Sequence, residues 1–182
     1  MFESTTTRPR AWRRGAGFTI IELMITVSVA SILLAIAIPS FNQMMVSSRL
    51  VAQSNDVVSG LSLARSEAIK RNATVTVCRS TDGTSCATST GNWLTWIVRA
   101  SNGEIVRRAD VNNFNGTIVI RSSLTTDQVA FGPDGLARTG GVMVADHQVR
   151  VCSTRAADRN VRRVVLGAGS RMSTISENGT CP

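Results

Sequence analysis

The sequence has no tyrosine, a single histidine and a single lysine among its 182 residues, and aromatic residues make up only 4% of it. The histidine, His147, is accompanied by no Cys-x-x-Cys pair, so the sequence gives little support to a zinc site. Neither a Gly-x-Ser-x-Gly segment nor another nucleophile motif accompanies it. We therefore interpret His147 as a solvated loop histidine, and we predict a protein that is not an enzyme and holds no cofactor.

Acidic residues are also few, with 12 of them against 20 basic residues and a formal net charge of +8. The carboxylates of the C-terminal part are scattered along the chain, at Asp82, Asp110, Asp127, Asp134 and Asp158. No loop rich in aspartate and asparagine, of the kind that binds calcium, is present. We therefore predict no metal site.

Long hydrophobic runs are absent except for one, residues 18–38, in which Glu22 is the only charged residue. As a helix, these 21 residues would extend about 30 Å, the thickness of a bilayer core. A carboxylate in that setting is costly unless it is paired, so Glu22 is a functional candidate. Four arginines precede the run, namely Arg8, Arg10, Arg13 and Arg14. By the positive-inside rule they keep the N-terminus cytoplasmic and place the chain beyond residue 38 outside the cytoplasm.

The residues at the start of this run are Gly17-Phe18-Thr19-Ile20-Ile21-Glu22, and they resemble the processing site of type IV pilins and type II secretion pseudopilins. The resemblance implies that a prepilin peptidase removes a leader, residues 1–17, by cutting between Gly17 and Phe18. It implies that the new amino group of Phe18 is N-methylated, and that Glu22 pairs with the Phe18 amine of a neighbouring subunit during assembly. An ordinary signal anchor is the alternative. A cleavable secretory signal would have small residues after its hydrophobic run, whereas this cleavage site precedes the run.

Residues 39–72 are predicted to continue as an amphipathic helix, because apolar residues recur at three- and four-residue steps. The apolar stripe consists of Phe41, Met44, Val51, Val58, Leu61, Ala64 and Ala68. Pro39 has no N–H and should kink or loosen the helix at the start of this segment. The second half of the stripe is expected to pack on the protein's own domain, whereas the resemblance allows the first half to pack on neighbouring subunits.

Residues 73–182 contain short β-like runs separated by turn residues. The predicted strands are residues 73–79, 93–99, 104–108, 117–121, 128–131, 142–144, 148–152, 161–166 and 172–175. Ser101-Asn102-Gly103 predicts a tight turn that makes a hairpin of the second and third strands. A helix followed by strands indicates an α+β fold, which with the resemblance predicts a type IV pilin-like domain: a long N-terminal helix packed on an antiparallel sheet.

The four cysteines allow three pairings. Their predicted location outside the cytoplasm favours disulfides over metal ligands. We predict a bond between Cys78 and Cys86, because these two are close in sequence. The second bond would then join Cys152 to Cys181 and hold the C-terminus in place.

Segments in the middle of the chain resemble the GspH/FimT group of minor pilins and pseudopilins. They are residues 93–98, ending in Trp-Ile-Val, the turn Phe131-Gly132-Pro133-Asp134-Gly135, and Cys152 followed by an arginine-rich loop and residues 164–166. The resemblance implies a structural subunit of the inner membrane with a periplasmic domain, placed at or near a filament tip. Its partners would be the prepilin peptidase and other major and minor pilins or pseudopilins. The choice between a type IV pilus and a type II secretion pseudopilus stays open.

Arginine dominates the basic residues of the C-terminal part, and guanidinium groups bind phosphate through paired hydrogen bonds. The candidates for a DNA-binding patch are Arg155, Arg159, Arg162, Arg163 and Arg171. FimT proteins, which this chain resembles, are associated with DNA uptake partly through a Gly-Arg-x-Arg motif. The matching residues here are Ser170-Arg171-Met172-Ser173, which keep one arginine of the motif. The alternative functions are therefore a DNA receptor displayed on a pilus and a structural subunit with a basic, solvated face.

Overall fold

The computed structural model describes residues 17–111, 117–156 and 158–181. The predicted leader arginines, Arg8, Arg10, Arg13 and Arg14, lie outside the described residues. The chain divides after Ser40 into two compact units.

The first unit contains the beginning of helix α1, which spans Ile20–Arg71. Thr19 precedes the helix and caps it, because its Oγ1 accepts a hydrogen bond of 3.2 Å from the backbone N–H of Glu22. Threonine followed three residues later by glutamate is the spacing of a capping box. Glu22 also lies in the first turn, where the helix dipole stabilises a negative charge.

The segment up to Ser40 is apolar, and every described residue of this first unit is exposed. Three of its hydroxyl groups nevertheless donate hydrogen bonds within the helix. Thr26 donates to the carbonyl of Leu23 over 2.9 Å, and Ser28 donates to that of Met24 over 2.7 Å. Ser31 likewise donates to the carbonyl oxygen of Ser28 over 2.8 Å. The helix continues through Pro39, so this proline does not end it.

The second unit combines the rest of α1 with two antiparallel sheets. The first sheet has the strand order β3-β2-β1-β5-β6-β7 and the second has the order β10-β9-β8-β4. The strands of the first sheet are β1 Val75–Ser80, β2 Thr95–Ala100, β3 Ile105–Asp110, β5 Gln128–Phe131, β6 Ala137–Thr139 and β7 Val142–Met143. The strands of the second sheet are β4 Ile118–Ser122, β8 Asp146–Ser153, β9 Val161–Gly167 and β10 Arg171–Glu177.

One face of α1 packs with both sheets in a common core, which is the predicted α+β arrangement of a helix on antiparallel sheets. The largest buried side chains include Trp93, Trp96 and Phe131. The buried helix positions are Leu50, Ser54, Val57, Gly60, Leu61, Ala64 and Ala68. The core therefore takes side chains from most of the second unit, whereas the described part of the first unit contributes none.

The second half of the predicted apolar stripe is buried in the protein's own domain, as expected, at Leu61, Ala64 and Ala68. Phe41 and Met44 are exposed, and Val51 remains 40% exposed, whereas Leu50 is fully buried. Leu50 and Val51 are adjacent apolar residues, and so are Val57 and Val58. The sequence pattern alone therefore could not show which member of each pair is buried. In the structure, Leu50 and Val57 are the buried members of the two pairs. They lie seven residues apart, which is about two helical turns.

Each predicted strand overlaps an observed one, and residues 128–131 match β5 throughout. The prediction omitted β6, because Ala137-Arg138-Thr139 shows no apolar alternation. Trp93 was placed in the second strand, but β2 begins only at Thr95. The hairpin of β2 and β3 is present, with Gly103 donating its N–H to the carbonyl of Ala100 over 2.9 Å.

Gly60 lies where α1 passes over the indole of Trp96. A Cβ atom at Gly60 would lie 2.3 Å from Cη2 and 2.4 Å from Cζ3 of Trp96. Both residues are buried, so the indole has little room to move. Gly60 thus permits a close approach of helix and sheet, although a glycine within a helix lowers the stability of that helix.

We expect Gly60→Ala to destabilise the protein by about 1–3 kcal/mol, because overpacking outweighs the gain in helix propensity of about 1 kcal/mol. Chemical denaturation measures the difference. The matched comparison is Gly60→Ala in a Trp96→Phe background, where the smaller ring leaves room for the methyl group. There the alanine should be neutral or stabilising, and an equal loss in both backgrounds would contradict the contact with Trp96.

Candidate functional site

The start of α1 carries the residues predicted for processing and assembly. Phe18 is 81% exposed, and a Cβ atom added to Gly17 would have no neighbouring atom within 4 Å. Glu22 is exposed, and its carboxylate forms no ion pair within the part of the chain that the structure describes. The hydrogen bond to Thr19 at the helix start uses the backbone N–H of Glu22 and does not involve its carboxylate.

The same helix is long and apolar enough to cross a membrane. Its most apolar window of 18 residues has a mean hydropathy of 2.4, and none of that window is buried. In water, such a surface would be unfavourable by about 25 cal/mol for each Å² left exposed. The segment therefore needs an apolar environment, which lipid or other apolar helices would supply.

The cysteines form two disulfides, with the same pairing as the prediction. Cys78 is bonded to Cys86 with 5.5 Å between the Cα atoms, and Cys152 is bonded to Cys181 with 5.7 Å between them. The first bond closes the loop that follows β1. The second holds the C-terminal segment against β8, where Cys152 is buried.

Strand register brings three arginines side by side on the second sheet. Arg121 of β4 lies directly opposite Arg150 of β8, and Arg150 lies directly opposite Arg163 of β9. We call these three residues the arginine row. They occupy the sheet face opposite to the buried Val149 and Val151, because neighbouring residues of a strand point to opposite faces. Adjacent members are separated by about 5 Å, the distance between paired strands.

The arginine row has little negative charge around it. Arg163 pairs with Glu177 at 3.1 Å, and this is the only ion pair that the row makes within the described residues. Arg150 donates to the carbonyl of Thr180 over 3.2 Å, and Arg121 donates to the side-chain oxygen of Asn92 over 2.6 Å. Because like charges that face each other across strands are unfavourable, the row attracts anions.

A cleft of about 260 Å³ adjoins the arginine row between β4 and β8. It is lined by Val119, Arg121, Ser122, Ser123, Gln148, Arg150 and Cys152. The hydroxyl of Ser123 is already engaged by the backbone of Gln148, whose N–H donates to it over 2.9 Å. The two guanidinium groups are therefore the charged part of the lining.

The structure does not bring the five predicted DNA-binding arginines together. Arg162 and Arg163 lie in β9, within the predicted strand 161–166, and as neighbours they point to opposite faces of the sheet. Arg171 pairs in register with Gly167, four residues along β9 from Arg163. Arg155 and Arg159 lie in the connection between β8 and β9, with Arg159 in a left-handed conformation (φ 47°).

Sequence reasoning missed the arginine row because its members are far apart in the chain. Arg121 stands at the end of a predicted strand, and Arg150 lies in the middle of another. Alternation within each strand could have placed both on a polar face. The register that sets them beside Arg163 depends on tertiary structure and has no local signal.

His147 is not in a loop, contrary to the prediction. It lies in β8 opposite Leu166 of β9, and its Nδ1 is buried without a hydrogen-bond partner. Asp146 is the preceding residue of the same strand and points to the other face. The two side chains therefore do not form an acid–base pair. Within the residues described, no group of three or more histidine, cysteine, aspartate or glutamate side chains is placed to hold a metal ion.

Asp127, one of the scattered carboxylates, is at the centre of a buried polar cluster. It is 1% exposed, accepts the N–H of Gly91 over 2.7 Å and accepts the hydroxyl of Ser122. Arg79 approaches Asp127 Oδ2 with its Nε at 3.4 Å. The Nη2 of Arg79 donates to the carbonyl and hydroxyl oxygens of Ser89. The cluster connects the loop after β1 to the turn before β5, which is a structural role.

Exposed carboxylates are also engaged locally. Arg138 and the backbone N–H of Leu136 lower the pKa of Asp134 from its usual 3.8 to about 2. Hydrogen bonds from the side chain and backbone of Ser85 lower the pKa of Asp82. Both aspartates thus stabilise their own turns.

Comparisons with known proteins agree with this architecture. The model of the family described as type II transport protein GspH matches residues 53–170, and the prokaryotic N-terminal methylation motif matches residues 12–38. No curated protein matches the sequence.

Two solved structures share the fold. The type IV minor pilin FimU of Pseudomonas aeruginosa is 14% identical, with a TM-score of 0.51, and the match covers 71% of this chain and 90% of FimU. The minor pseudopilin EpsH of the Vibrio cholerae type 2 secretion system is 8% identical, with a TM-score of 0.50, and the match covers 70% of this chain and 97% of EpsH. The family model extends over more than half of the sequence, so the chain belongs to the GspH family.

Proposed function

We propose that the protein is a minor pilin or pseudopilin that is processed by a prepilin peptidase and incorporated at or near the tip of a filament. The observation that carries the proposal is the bare apolar first part of α1, with Glu22 in its first turn. Residues 1–17 would be the leader, 18–38 the membrane and assembly segment, 39–72 the amphipathic part of the helix and 73–182 the periplasmic domain. The abundance of arginine favours a type IV pilus over a secretion pseudopilus.

The mechanism follows from the surroundings that this helix requires. Before assembly, the inner membrane covers the apolar surface; afterwards, helices of other subunits cover it. Glu22 is unfavourable in either setting unless it is paired. An N-terminal amine, freed at Phe18 by cleavage after Gly17, would give it a partner of opposite charge. Assembly would thus be favoured by helix packing and by the neutralisation of Glu22.

Processing and assembly can be separated by two substitutions in the full-length chain. Gly17→Leu should block cleavage, so that the membrane protein keeps the mass of the precursor. Glu22→Ala should be cleaved normally but lost from the sheared filament fraction, because the pairing is absent. The matched control, Ser28→Ala, should be cleaved and incorporated. A mature mass for Gly17→Leu would refute the processing site, and normal incorporation of Glu22→Ala would refute the pairing.

The arginine row supports a second candidate function, the binding of DNA by an assembled subunit. Three neighbouring guanidinium groups lie on one face of the second sheet, and their positive charge is complementary to a phosphate backbone. Trp93 and Trp96 are buried and therefore unable to stack on bases. Binding through this face would depend on phosphate contacts and would show no sequence preference.

Titration with duplex DNA across a salt series tests this second function. Arg121→Gln/Arg150→Gln should weaken binding and reduce the slope of log K against log salt by about two, one for each lost phosphate contact. The matched control is Arg155→Gln/Arg159→Gln, which removes the same charge from the connection between β8 and β9. Equal weakening in both variants would mean that binding follows net charge and does not require the arginine row.

A further inference from the structure

A groove of about 480 Å³ lies between α1 and the connection from β8 to β9. Phe41, Met45 and Val46 line its apolar part, and Arg49 and Arg155 supply its charge. Phe41 is 61% exposed and Met45 is 38% exposed, so the apolar part is open to a ligand. The groove therefore presents apolar surface and two guanidinium groups side by side.

The apolar and charged parts of the groove follow each other along α1. Phe41 is the third residue after Ile38, where the hydrophobic run ends, and Arg49 is the eleventh and the first charged residue after Glu22. At the rise of a helix, Phe41 and Arg49 are about 5 Å and about 17 Å beyond the run. The headgroup layer of a bilayer covers about the first 5–8 Å outside the hydrocarbon core. An arginine at the far end of the groove reaches back to this layer, because its long apolar stem lets the charged end lie among the headgroups.

The groove lies at the end of the second unit where α1 enters it. Arg49 shares the groove with Arg155, whereas Arg65, 16 residues further along α1, donates through Nη1 to the carbonyl of Ser170 over 3.3 Å. Helix α1 therefore runs along the second sheet from the connection between β8 and β9 towards the turn before β10. This connection is thus the part of the sheet that is closest, along the helix, to the hydrophobic run.

The connection adds positive charge to this end of the sheet. Arg155 and Arg159 are exposed, and neither forms an ion pair with another described residue. Asp158 is the only carboxylate among the described residues 154–156 and 158–160, and its Oδ1 accepts the backbone N–H of Arg159 over 2.8 Å. Because guanidinium groups outnumber carboxylates here, this end of the sheet attracts anions.

We propose that Arg49 and Arg155 bind the phosphate of an anionic phospholipid in the periplasmic leaflet, and that Phe41 and Met45 contact the apolar part of the same lipid. Such binding rests on the membrane anchor proposed above, which brings the groove to the headgroups. Each guanidinium group can donate paired hydrogen bonds to a phosphate diester. A duplex nucleic acid carries the same phosphate but has no acyl chain to cover the apolar part of the groove, so the groove favours lipid. The contact would hold the domain on the membrane until assembly.

Quenching by spin-labelled lipid in nanodiscs tests this site in the full-length chain. Each disc holds one chain in phosphatidylcholine, with doxyl-labelled phosphatidylglycerol or doxyl-labelled phosphatidylcholine at the same fraction. A fluorophore on Ser48→Cys lies next to Arg49 in sequence, and the native cysteines do not react because all are in disulfides. The fluorophore detects lipids of its own leaflet, so the predicted leader arginines contribute nothing to the signal. We expect a several-fold preference for phosphatidylglycerol.

Arg49→Gln/Arg155→Gln should lower this preference about five-fold for each arginine removed. The matched control is Arg99→Gln/Arg171→Gln, which removes the same charge from two exposed positions. Arg171 follows Ser170 at the opposite end of the second sheet, and Arg99 lies in β2 of the first sheet. This control should keep the preference. An equal loss in both variants would show that binding follows net charge and would overturn the site.

A second label separates the lipid site from the membrane anchor. A fluorophore on Ser40→Cys, two residues beyond the hydrophobic run, should be quenched by both lipids in every variant, because this signal requires only insertion of the helix. Equal quenching by the two lipids at Ser48→Cys, with Ser40→Cys quenched, would overturn the lipid site and leave the anchor intact. Absence of quenching at Ser40→Cys would refute the anchor and the lipid site together.

Discussion

Replacing Asp127 with alanine should lower the free energy of unfolding by about 3–5 kcal/mol, among the largest effects of any single substitution in this protein. Asp127 is 1% exposed, and the side chain of Arg79 is 10% exposed. Removing the carboxylate leaves the guanidinium buried without its counter-ion. It also removes the acceptor for the N–H of Gly91 and the hydroxyl of Ser122. A buried charge without a partner costs more than the original pair contributes.

Chemical denaturation of the variant beside Asp110→Asn would measure this effect. Asp110 also receives bonds from a hydroxyl and an arginine, those of Thr95 and Arg108, but its side chain is 63% exposed. Its loss should therefore cost less than about 1 kcal/mol. The double variant Arg79→Met/Asp127→Leu should recover part of the stability, because it removes both charges. Comparable losses at Asp110 and Asp127 would contradict the importance of burial.

Removing the disulfide between Cys152 and Cys181 should have the second large effect. The two cysteines are 29 residues apart, against 8 for Cys78 and Cys86. In the chain-entropy model, the longer loop contributes about 3.6 kcal/mol and the shorter one about 2.5 kcal/mol. Cys152→Ala/Cys181→Ala should therefore destabilise the protein more than Cys78→Ala/Cys86→Ala does.

The C-terminal segment should also lose its position in this variant. It is held by the bond from Arg150 to the carbonyl of Thr180 and by two bonds between Asn160 and Gly179. Amide hydrogen exchange should thus increase at residues 178–181 when the disulfide is absent. The Cys78→Ala/Cys86→Ala variant is the control for this region. Unchanged exchange at residues 178–181 would mean that the hydrogen bonds alone hold the segment.

The helix and most strands could be predicted because their signals are local. A run of apolar residues predicts α1, and alternation predicts strands such as β1 and β5. The phase of the helix could not be predicted where two apolar residues adjoin, as at Leu50 and Val51. Only the packing of the core against Trp96 and its neighbours distinguishes them, and that packing involves residues far away in the sequence.

The candidate sites likewise divide into those that have a local sequence signal and those that do not. Gly17, Phe18 and Glu22 form one short motif, so their roles could be predicted from the sequence, and these roles stay predictions. The arginine row could not be predicted, because Arg121, Arg150 and Arg163 meet only through strand register. Burial likewise distinguished Asp127 from the other scattered carboxylates, and no local pattern indicates burial of a charged residue.

The hydroxyl groups of Thr26, Ser28 and Ser31 all return to carbonyls of their own helix. This part of the helix therefore needs no hydrogen-bonding partner from its surroundings, whether these are acyl chains or other helices. Transfer of the helix from acyl chains to a bundle of other helices replaces one apolar environment by another. It breaks no hydrogen bond of these three side chains. The equilibrium of such a transfer would be set by shape and by Glu22 alone, so modest forces could drive it in either direction.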